Sequence, residues 1–186
     1  MPGVRMKFVL KSLVLLVVLV VVAVVGGAYL IPPVAVVERA TQVRASADTV
    51  YGIISNTKVF NVWPPWAELD PDTTYTFDGP NGGVGQKMTW ASKDPSIGKG
   101  TLTLIKAEPG HEVVTALDLG GMGAATVTIA LKPLDDGVAV VWTFEKPLDG
   151  ILERWASLQF DSQVGGDIVK GLTRLKALAE EENTDG

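Results

Sequence analysis

The sequence lacks cysteine entirely and has a single histidine among its 186 residues. The absence of cysteine excludes a disulfide framework, a thiolate nucleophile and cysteine-based zinc sites, so stability must come from core packing. The histidine, His111, follows Pro109 and Gly110 in a predicted turn and is expected to be exposed. One imidazole cannot form a histidine-rich metal site, and the sequence predicts neither a metal nor a cofactor.

Clusters of basic residues are missing from most of the chain. The formal net charge is −5, and the first three basic residues, Arg5, Lys7 and Lys11, precede every acidic residue. The remainder is therefore more acidic than the net charge suggests. An acidic surface repels a phosphate backbone, so we expect no binding to nucleic acid.

Groups that could perform acid–base chemistry are also scarce. Three carboxylates lie near apolar segments, namely Asp118, Glu145 and Asp161. Strand alternation places Glu145 in solvent, Asp161 fits the outer face of a helix, and one remaining carboxylate does not make a site. The glycine-rich loop at 79–85 lacks the lysine and helix start of a phosphate-binding loop. No catalytic residue is predicted.

One long apolar run dominates the N-terminus. Residues 12–31 carry no charge, and about 20 helical residues match a hydrocarbon core of about 30 Å. We predict a transmembrane signal anchor over 12–31 after a short basic cytoplasmic segment, 1–11. Because basic residues lie only on the N-terminal side, the positive-inside rule places the domain outside the cell membrane, in the periplasm or extracellular space.

A cleaved signal peptide is the alternative reading of the same run. Gly26, Gly27 and Ala28 offer the small residues of a cleavage site. The apolar stretch nevertheless exceeds the roughly 7–15 residues typical of a signal peptide, which favours the anchor.

Turn residues divide the rest of the chain into short elements. A strand is predicted over 34–45, followed by a short helix with Ser46 at its N-cap. A second short helix, carrying Val59, Phe60 and Trp63, is expected to end before Pro64. Six strands follow, over 73–77, 86–92, 101–107, 112–119, 126–131 and 138–145. These strands predict an antiparallel meander.

One long helix, from about 150 to 181, is predicted to cover the apolar face of the sheet. Its apolar residues recur at helical spacing: Leu152, Trp155, Leu158, Val164, Ile168, Leu172, Leu175 and Leu178. Gly165, Gly166 and Gly171 lie inside it, where each costs about 1 kcal/mol relative to alanine. They indicate a bend or a close approach, and tight packing or the shaping of a cavity explains them equally well.

Several short motifs follow in a fixed order along the domain. They are VRASADTVY at 43–51, Trp66, Gly79-Pro80, GVG at 83–85 before Trp90, GKG at 98–100, Glu108-Pro109 and GDIVKGLTRLKAL at 166–178. Together they resemble the START-like superfamily, also called SRPBCC, and within it the bacterial polyketide cyclase/dehydrase-type group. The resemblance covers about 38–180. Ala47 departs from it, because family members commonly have proline there, and so does the glycine-rich stretch at 120–123.

The resemblance implies an α+β helix-grip fold. In such a fold, a curved seven-stranded antiparallel sheet wraps around a long C-terminal helix, and two short helices close one end. We expect this domain over 34–182, with a disordered tail at 183–186. The family usually leaves a cavity between helix and sheet for lipids, sterols, polyketides or other apolar molecules, although fold analogy does not transfer an activity.

Large aromatic residues are the candidates for lining such a cavity, since they bind apolar ligands and offer a polar edge. The candidate set is Tyr51, Trp63, Trp66, Gln86, Met88, Trp90, Ser92, Trp142, Phe144 and Trp155. Gln86 and Ser92 are included as polar contacts because they share strand parity with Met88 and Trp90. Each aromatic residue taken singly also fits an ordinary core.

The leading functional hypothesis is a membrane-anchored binding or carrier domain for a hydrophobic small molecule or lipid, without catalysis. Its expected partners are that ligand and the membrane, through the N-terminal helix, and no protein partner is identified. One alternative is a polyketide cyclase/dehydratase-like enzyme. Another is a membrane-tethered interaction module whose pocket is filled by its own side chains.

Overall fold

An apolar helix, a seven-stranded sheet and two C-terminal helices follow one another in the computed structural model, which describes residues 2–60, 62–64, 70–95 and 97–184. The helices are α1 (Pro2–Ala28), α2 (Ala47–Ile54), α3 (Ile151–Ser157) and α4 (Phe160–Thr184). The strands are β1 (Val34–Val43), β2 (Thr74–Asp78), β3 (Lys87–Ala91), β4 (Lys99–Glu108), β5 (Glu112–Asp118), β6 (Ala124–Leu134) and β7 (Gly137–Pro147).

The sheet confirms the expected helix-grip fold. Its seven strands lie in the order β1-β7-β6-β5-β4-β3-β2, and every neighbouring pair is antiparallel. Alternation produces one buried face, on which Val127, Ile129 and Leu131 of β6 point into the core while the residues between them do not. A register shift between Leu104 and Lys106 interrupts the pairing of β4 with β5.

The helix α4 covers one side of this buried face. It packs mainly on β1 and α2 and buries Ile168, Leu172 and Leu175 against them. The N-cap of α2 is Ser46, whose hydroxyl accepts a hydrogen bond from the Thr49 amide at 3.0 Å. Long-range packing therefore joins the first strand, the first helix of the domain and the last helix into one core.

The helix α1 contains a 20-residue stretch, Val9–Ala28, that is long and apolar enough to cross a membrane. It ends earlier than the sequence predicts, because residues 29–31 form a turn. The sheet begins almost at once, since Val34 pairs with Pro147 and the Leu148 amide donates to the Pro33 carbonyl at 2.8 Å. As a result, α1 and α3 both leave the sheet at the same end.

The single long helix predicted over 150–181 is wrong. A turn at Leu158 and Gln159 separates α3 from α4. Leu152, Trp155 and Leu158 therefore do not cover the sheet, and all three are exposed. The reason is tertiary: α3 packs against the end of α1, which offers it a partner that helical periodicity does not reveal.

The second short helix predicted before Pro64 is also not formed by the described residues. Residues 57–60 form successive turns, in which the Val59 amide donates to the Asn56 carbonyl at 3.0 Å. Asn56 also accepts from the Lys58 amide through its side chain at 3.0 Å, which favours a turn over a helix. The helix α4 extends through Thr184, into the stretch expected to be a disordered tail.

Candidate functional site

Several of the aromatic residues expected around a cavity are buried in the core of the domain and pack on one another. Trp63 and Trp142 are 0% and 1% exposed, and their ring centroids lie 5.1 Å apart in an edge-to-face arrangement. Phe60 makes a second edge-to-face contact with Trp63 at 5.1 Å, and Met88 is buried in the same core. Three predicted ligand contacts, Trp63, Met88 and Trp142, are thus brought together in one core, and the two tryptophans contact each other.

The buried amide of Gln86 binds the loop after α2. Its Nε2 donates to the Ser55 carbonyl at 3.0 Å and to the Gly83 carbonyl at 3.3 Å. Its Oε1 accepts from the Thr57 hydroxyl at 3.1 Å. Both ends of the amide are thus engaged within the chain, and this network holds the turns that replace the expected second helix.

Two further predicted residues make polar contacts at the C-terminal end of β3. Trp90 donates from Nε1 to the Ile97 carbonyl at 3.3 Å, and its ring lies so close to Gly100 that a Cβ there would collide with it. The hydroxyl of Ser92 donates to the Asp70 carboxylate, and this hydrogen bond lowers the pKa of Asp70.

The other predicted residues are dispersed. Tyr51 is half-buried beside the core, and Phe144 packs on Phe160 with ring centroids 5.6 Å apart. Trp155 of α3 lies outside the domain core and donates from Nε1 to the Val24 carbonyl of α1. Trp66 lies outside the described residues. Ligand contact by any member of the set stays a prediction.

Two of the candidate acid–base carboxylates, Asp118 and Asp161, have structural partners. Asp118 accepts from the Gly120 amide at 2.9 Å and stabilises the following turn. Asp161 pairs with Arg39, and His111 Nδ1 lies 3.0 Å from the Pro109 carbonyl in its turn. Among the described residues, no three His, Asp or Glu side chains form a group able to hold a metal ion.

An apolar groove of about 200 Å³ lies where α1 joins the domain. We call it the junction groove. It is formed by the segment after α1, the start of the edge strand β1 and the turn between α3 and α4. Its lining residues are Ile31, Pro32, Val34, Ala35, Val36, Val37, Ser157, Leu158, Phe160 and Asp161. Sequence reasoning missed this site, although Val34 and Val36 on the outward side of β1 were a signal for it.

An ion pair borders the junction groove on the α4 side. Arg39 projects from β1, and its Nη2 lies 2.9 and 3.0 Å from the two carboxylate oxygens of Asp161. The guanidinium occupies the space beside Gly165 that a Cβ would fill. Gly165 therefore makes the close approach that the glycines of this helix predict, whereas Gly166 faces open space.

Comparison with known proteins agrees with this architecture. The family model described as polyketide cyclase / dehydrase and lipid transport matches residues 34–180. No curated protein matches the sequence.

Solved structures with the same fold include three proteins whose names describe different activities or assemblies. Norcoclaurine synthase from Thalictrum flavum, a point mutant in complex with a transition-state analogue, is 15% identical with a TM-score of 0.60, covering 80% of this chain and 96% of that one. The di-domain ARO/CYC StfQ of the steffimycin biosynthetic pathway is 16% identical with a TM-score of 0.57, covering 80% of this chain and 51% of that one. The Aha1 dimer from Colwellia psychrerythraea is 17% identical with a TM-score of 0.52, covering 78% of this chain and 96% of that one. At these identities the likeness concerns the fold alone.

Proposed function

The chain belongs to the polyketide cyclase/dehydrase and lipid transport family, and on this basis we propose that it is a membrane-anchored binding or carrier domain for a lipid or another hydrophobic small molecule, without catalysis. The observation that carries the proposal is the junction groove, an apolar surface that begins at Ile31, directly beyond the apolar helix. A ligand site at this position is open to molecules dissolved in the bilayer.

The length and charge pattern of α1 support the anchor. Twenty residues at 1.5 Å each give a helix of about 30 Å, which matches the hydrocarbon core. Residues 9–26 are all exposed, and α1 packs on the domain only at its end, where Ala28 is buried. Arg5, Lys7 and Lys11 lie before or within the first turn of this segment, and Asp and Glu occur only after it, so the domain is proposed to lie on the outer side.

The size and lining of the junction groove favour a lipid chain as its ligand. Pockets for drug-sized ligands occupy roughly 300–1,000 Å³, whereas this groove has about 200 Å³. A single alkyl chain suits that volume better than a product with several fused rings. Each methylene buried there contributes about 0.8 kcal/mol.

A second candidate function is a membrane-tethered interaction module. The contact between Trp63 and Trp142 favours it, because two residues expected to contact a ligand are buried against each other instead. A cyclase/dehydratase-like activity has only the family description in its support. The carboxylates that such an enzyme would use, Asp118 and Asp161, bind a turn amide and an arginine.

Photo-crosslinking tests the ligand site. The full chain is placed in nanodiscs that contain a lipid with a diazirine on its acyl chain, and the crosslinked peptides are identified by mass spectrometry. We expect adducts on 34–37 and 157–160, and crosslinks to α1 serve as the internal control for access to lipid.

Two matched variants sharpen this test. Val36→Asp places a charge in the groove, and Val84→Asp places one at a similarly exposed site in a distant loop, since these valines are 54% and 56% exposed. Groove adducts should fall severalfold in the first variant only. Equal adducts in both variants, or none in the groove of the unmodified chain, would overturn the lipid site in favour of the interaction module.

A further inference from the structure

The helix α3 exposes apolar side chains and buries none. Leu152 is 82% exposed, Leu158 in the turn that follows is 64% exposed, and Ile151 and Trp155 are exposed as well. An isolated helix of this length is marginal in water. Packing within the domain therefore does not explain why this segment carries large apolar side chains.

Contacts to α1 fix the position of α3. The indole Nε1 of Trp155 donates to the Val24 carbonyl at 3.1 Å. The ring also lies over Gly27, where a Cβ would come within 2.8 Å of Cζ2. The absence of a side chain at Gly27 thus allows the tryptophan to pack directly on the helix.

Arg154 holds the same end of α1 through two carbonyl groups, one at the last residue of the helix and one in the turn that follows. Its Nη1 donates to the Ile31 carbonyl at 3.1 Å and to the Ala28 carbonyl at 3.4 Å. Its guanidinium lies 5.6 Å from the ring centroid of Tyr29. A cation at the C-terminal end of a helix is favourable for the helix dipole as well.

These contacts fix the position of α3 along the axis of α1. Val24 precedes Ala28, the last residue of the apolar segment, by about one helical turn, or about 6 Å along the axis. Trp155 is therefore level with the final turn of α1. Tryptophan, tyrosine and arginine are the residues that occupy the boundary between acyl chains and headgroups.

We propose that α3 lies in the membrane interface beside α1, with Leu152 and its apolar neighbours inserted among the lipids of the leaflet on the domain side. The inference rests on the proposed membrane span of α1. The occupant of this face is the bilayer itself, because α1 cannot place its last turn in the bilayer without bringing the helix packed on it to the same depth. Leu158, directly after α3, also lines the junction groove. A helix α3 in the membrane interface therefore places the groove at the lipid surface.

Site-directed fluorescence tests the proposal in the full chain, which is free of cysteine. A polarity-sensitive label is attached to Leu152→Cys, to Lys132→Cys on the exposed side of β6, and to Val17→Cys within α1. Each protein is placed in nanodiscs that contain lipids carrying a nitroxide either near the headgroup or deep in the acyl chain. We expect a blue-shifted emission at 152 that headgroup-proximal nitroxides quench severalfold more strongly than they quench the label at 132.

The label at Val17→Cys separates the possible failures. If it is quenched by deep nitroxides while the label at 152 behaves like that at 132, α3 lies in water and the inference is overturned, with the anchor intact. If the label at 17 is itself in water, the anchor of the proposed function fails. A label at 152 that is blue-shifted but not quenched by either lipid indicates cover by protein and also overturns the inference.

Discussion

At the scale of the residue, Gln86 illustrates how a polar side chain with the right parity acquires a structural role. It is 3% exposed and joins the start of β3 to the loop after α2 through both ends of its amide. Alternation correctly placed this side chain inside the domain. It could not show that Ser55 and Thr57 lie within reach, because the path of their loop depends on tertiary packing.

Replacing Gln86 with alanine should destabilise the domain by about 2 kcal/mol, since buried partners would be left without hydrogen bonds. Denaturant unfolding of the full chain in detergent, followed by tryptophan fluorescence, measures the change. Gln42→Ala, at an exposed position of β1, is the control and should have little effect. Unchanged stability of Gln86→Ala, together with lost lipid crosslinking, would identify Gln86 as a ligand contact instead.

Gly137 has a backbone conformation that its surroundings constrain closely. It has φ of 113°, and a Cβ there would collide with the Val43 carbonyl across the β1–β7 pair. Gly137→Ala should cost roughly 3 kcal/mol, from backbone strain and the clash together. The matched change Gly82→Ala, which meets nothing within 4 Å, should be nearly neutral. Similar unfolding midpoints for the two variants would contradict this assignment.

At the scale of the element, two helices receive their positions from partners distant in sequence. The edge strand β1 contributes Arg39, which fits against Gly165 of α4 and pairs with Asp161. The helix α3 receives its position from α1, through Trp155 and Arg154. In each case a glycine on one helix makes room for a large side chain of the other element.

The neighbouring glycines of α1 give a matched test of the α1–α3 contact. Gly27→Ala should displace the Trp155 ring and cost the Trp155–Val24 hydrogen bond, about 1 kcal/mol, whereas Gly26 has nothing within 4 Å of a Cβ. The emission of Trp155, obtained by subtracting the spectrum of Trp155→Phe, should change in Gly27→Ala and stay the same in Gly26→Ala. An identical Trp155 spectrum in both variants would mean that the ring does not pack on Gly27.

At the scale of the whole molecule, surface carboxylates contribute to holding separate parts of the domain together. The Arg44 amide donates to Glu180 at 2.9 Å, which connects the end of α4 to the turn between β1 and α2. This hydrogen bond lowers the pKa of Glu180, and a hydrogen bond from Lys106 lowers the pKa of Glu108. The pKa of Asp70 is lowered too, by the hydroxyl of Ser92.

Acid should therefore destabilise the domain. A carboxyl group whose pKa is lowered in the folded chain binds protons more readily when the chain is unfolded. Its contribution to the free energy of unfolding is therefore complete above the ordinary pKa, about 4.3 for glutamate, and is lost as the pH falls through the pKa of the folded chain. The free energy of unfolding should fall more steeply below about pH 4.3 in the unmodified chain than in Glu180→Gln. Parallel pH profiles would show that Glu180 does not contribute.

The sequence by itself determined the apolar helix, the meander of strands and the helix-grip family. These follow from local signals: an uncharged run, alternation along each strand, and turn residues such as Asp135 and Asp136 between β6 and β7. The predicted strand boundaries lie within three residues of those observed for β2–β7. Local patterns suffice here because alternation is set by the pleat of the backbone.

Only the tertiary structure decided what each apolar face packs against. The spacing of Leu152, Trp155 and Leu158 continues that of α4, yet these residues lie on α3 beside α1. Likewise, the tryptophans expected around a cavity include Trp63 and Trp142, which pack on each other. Periodicity reports which side of an element is apolar, but its partner depends on contacts between residues far apart in the chain, such as Val24 with Trp155.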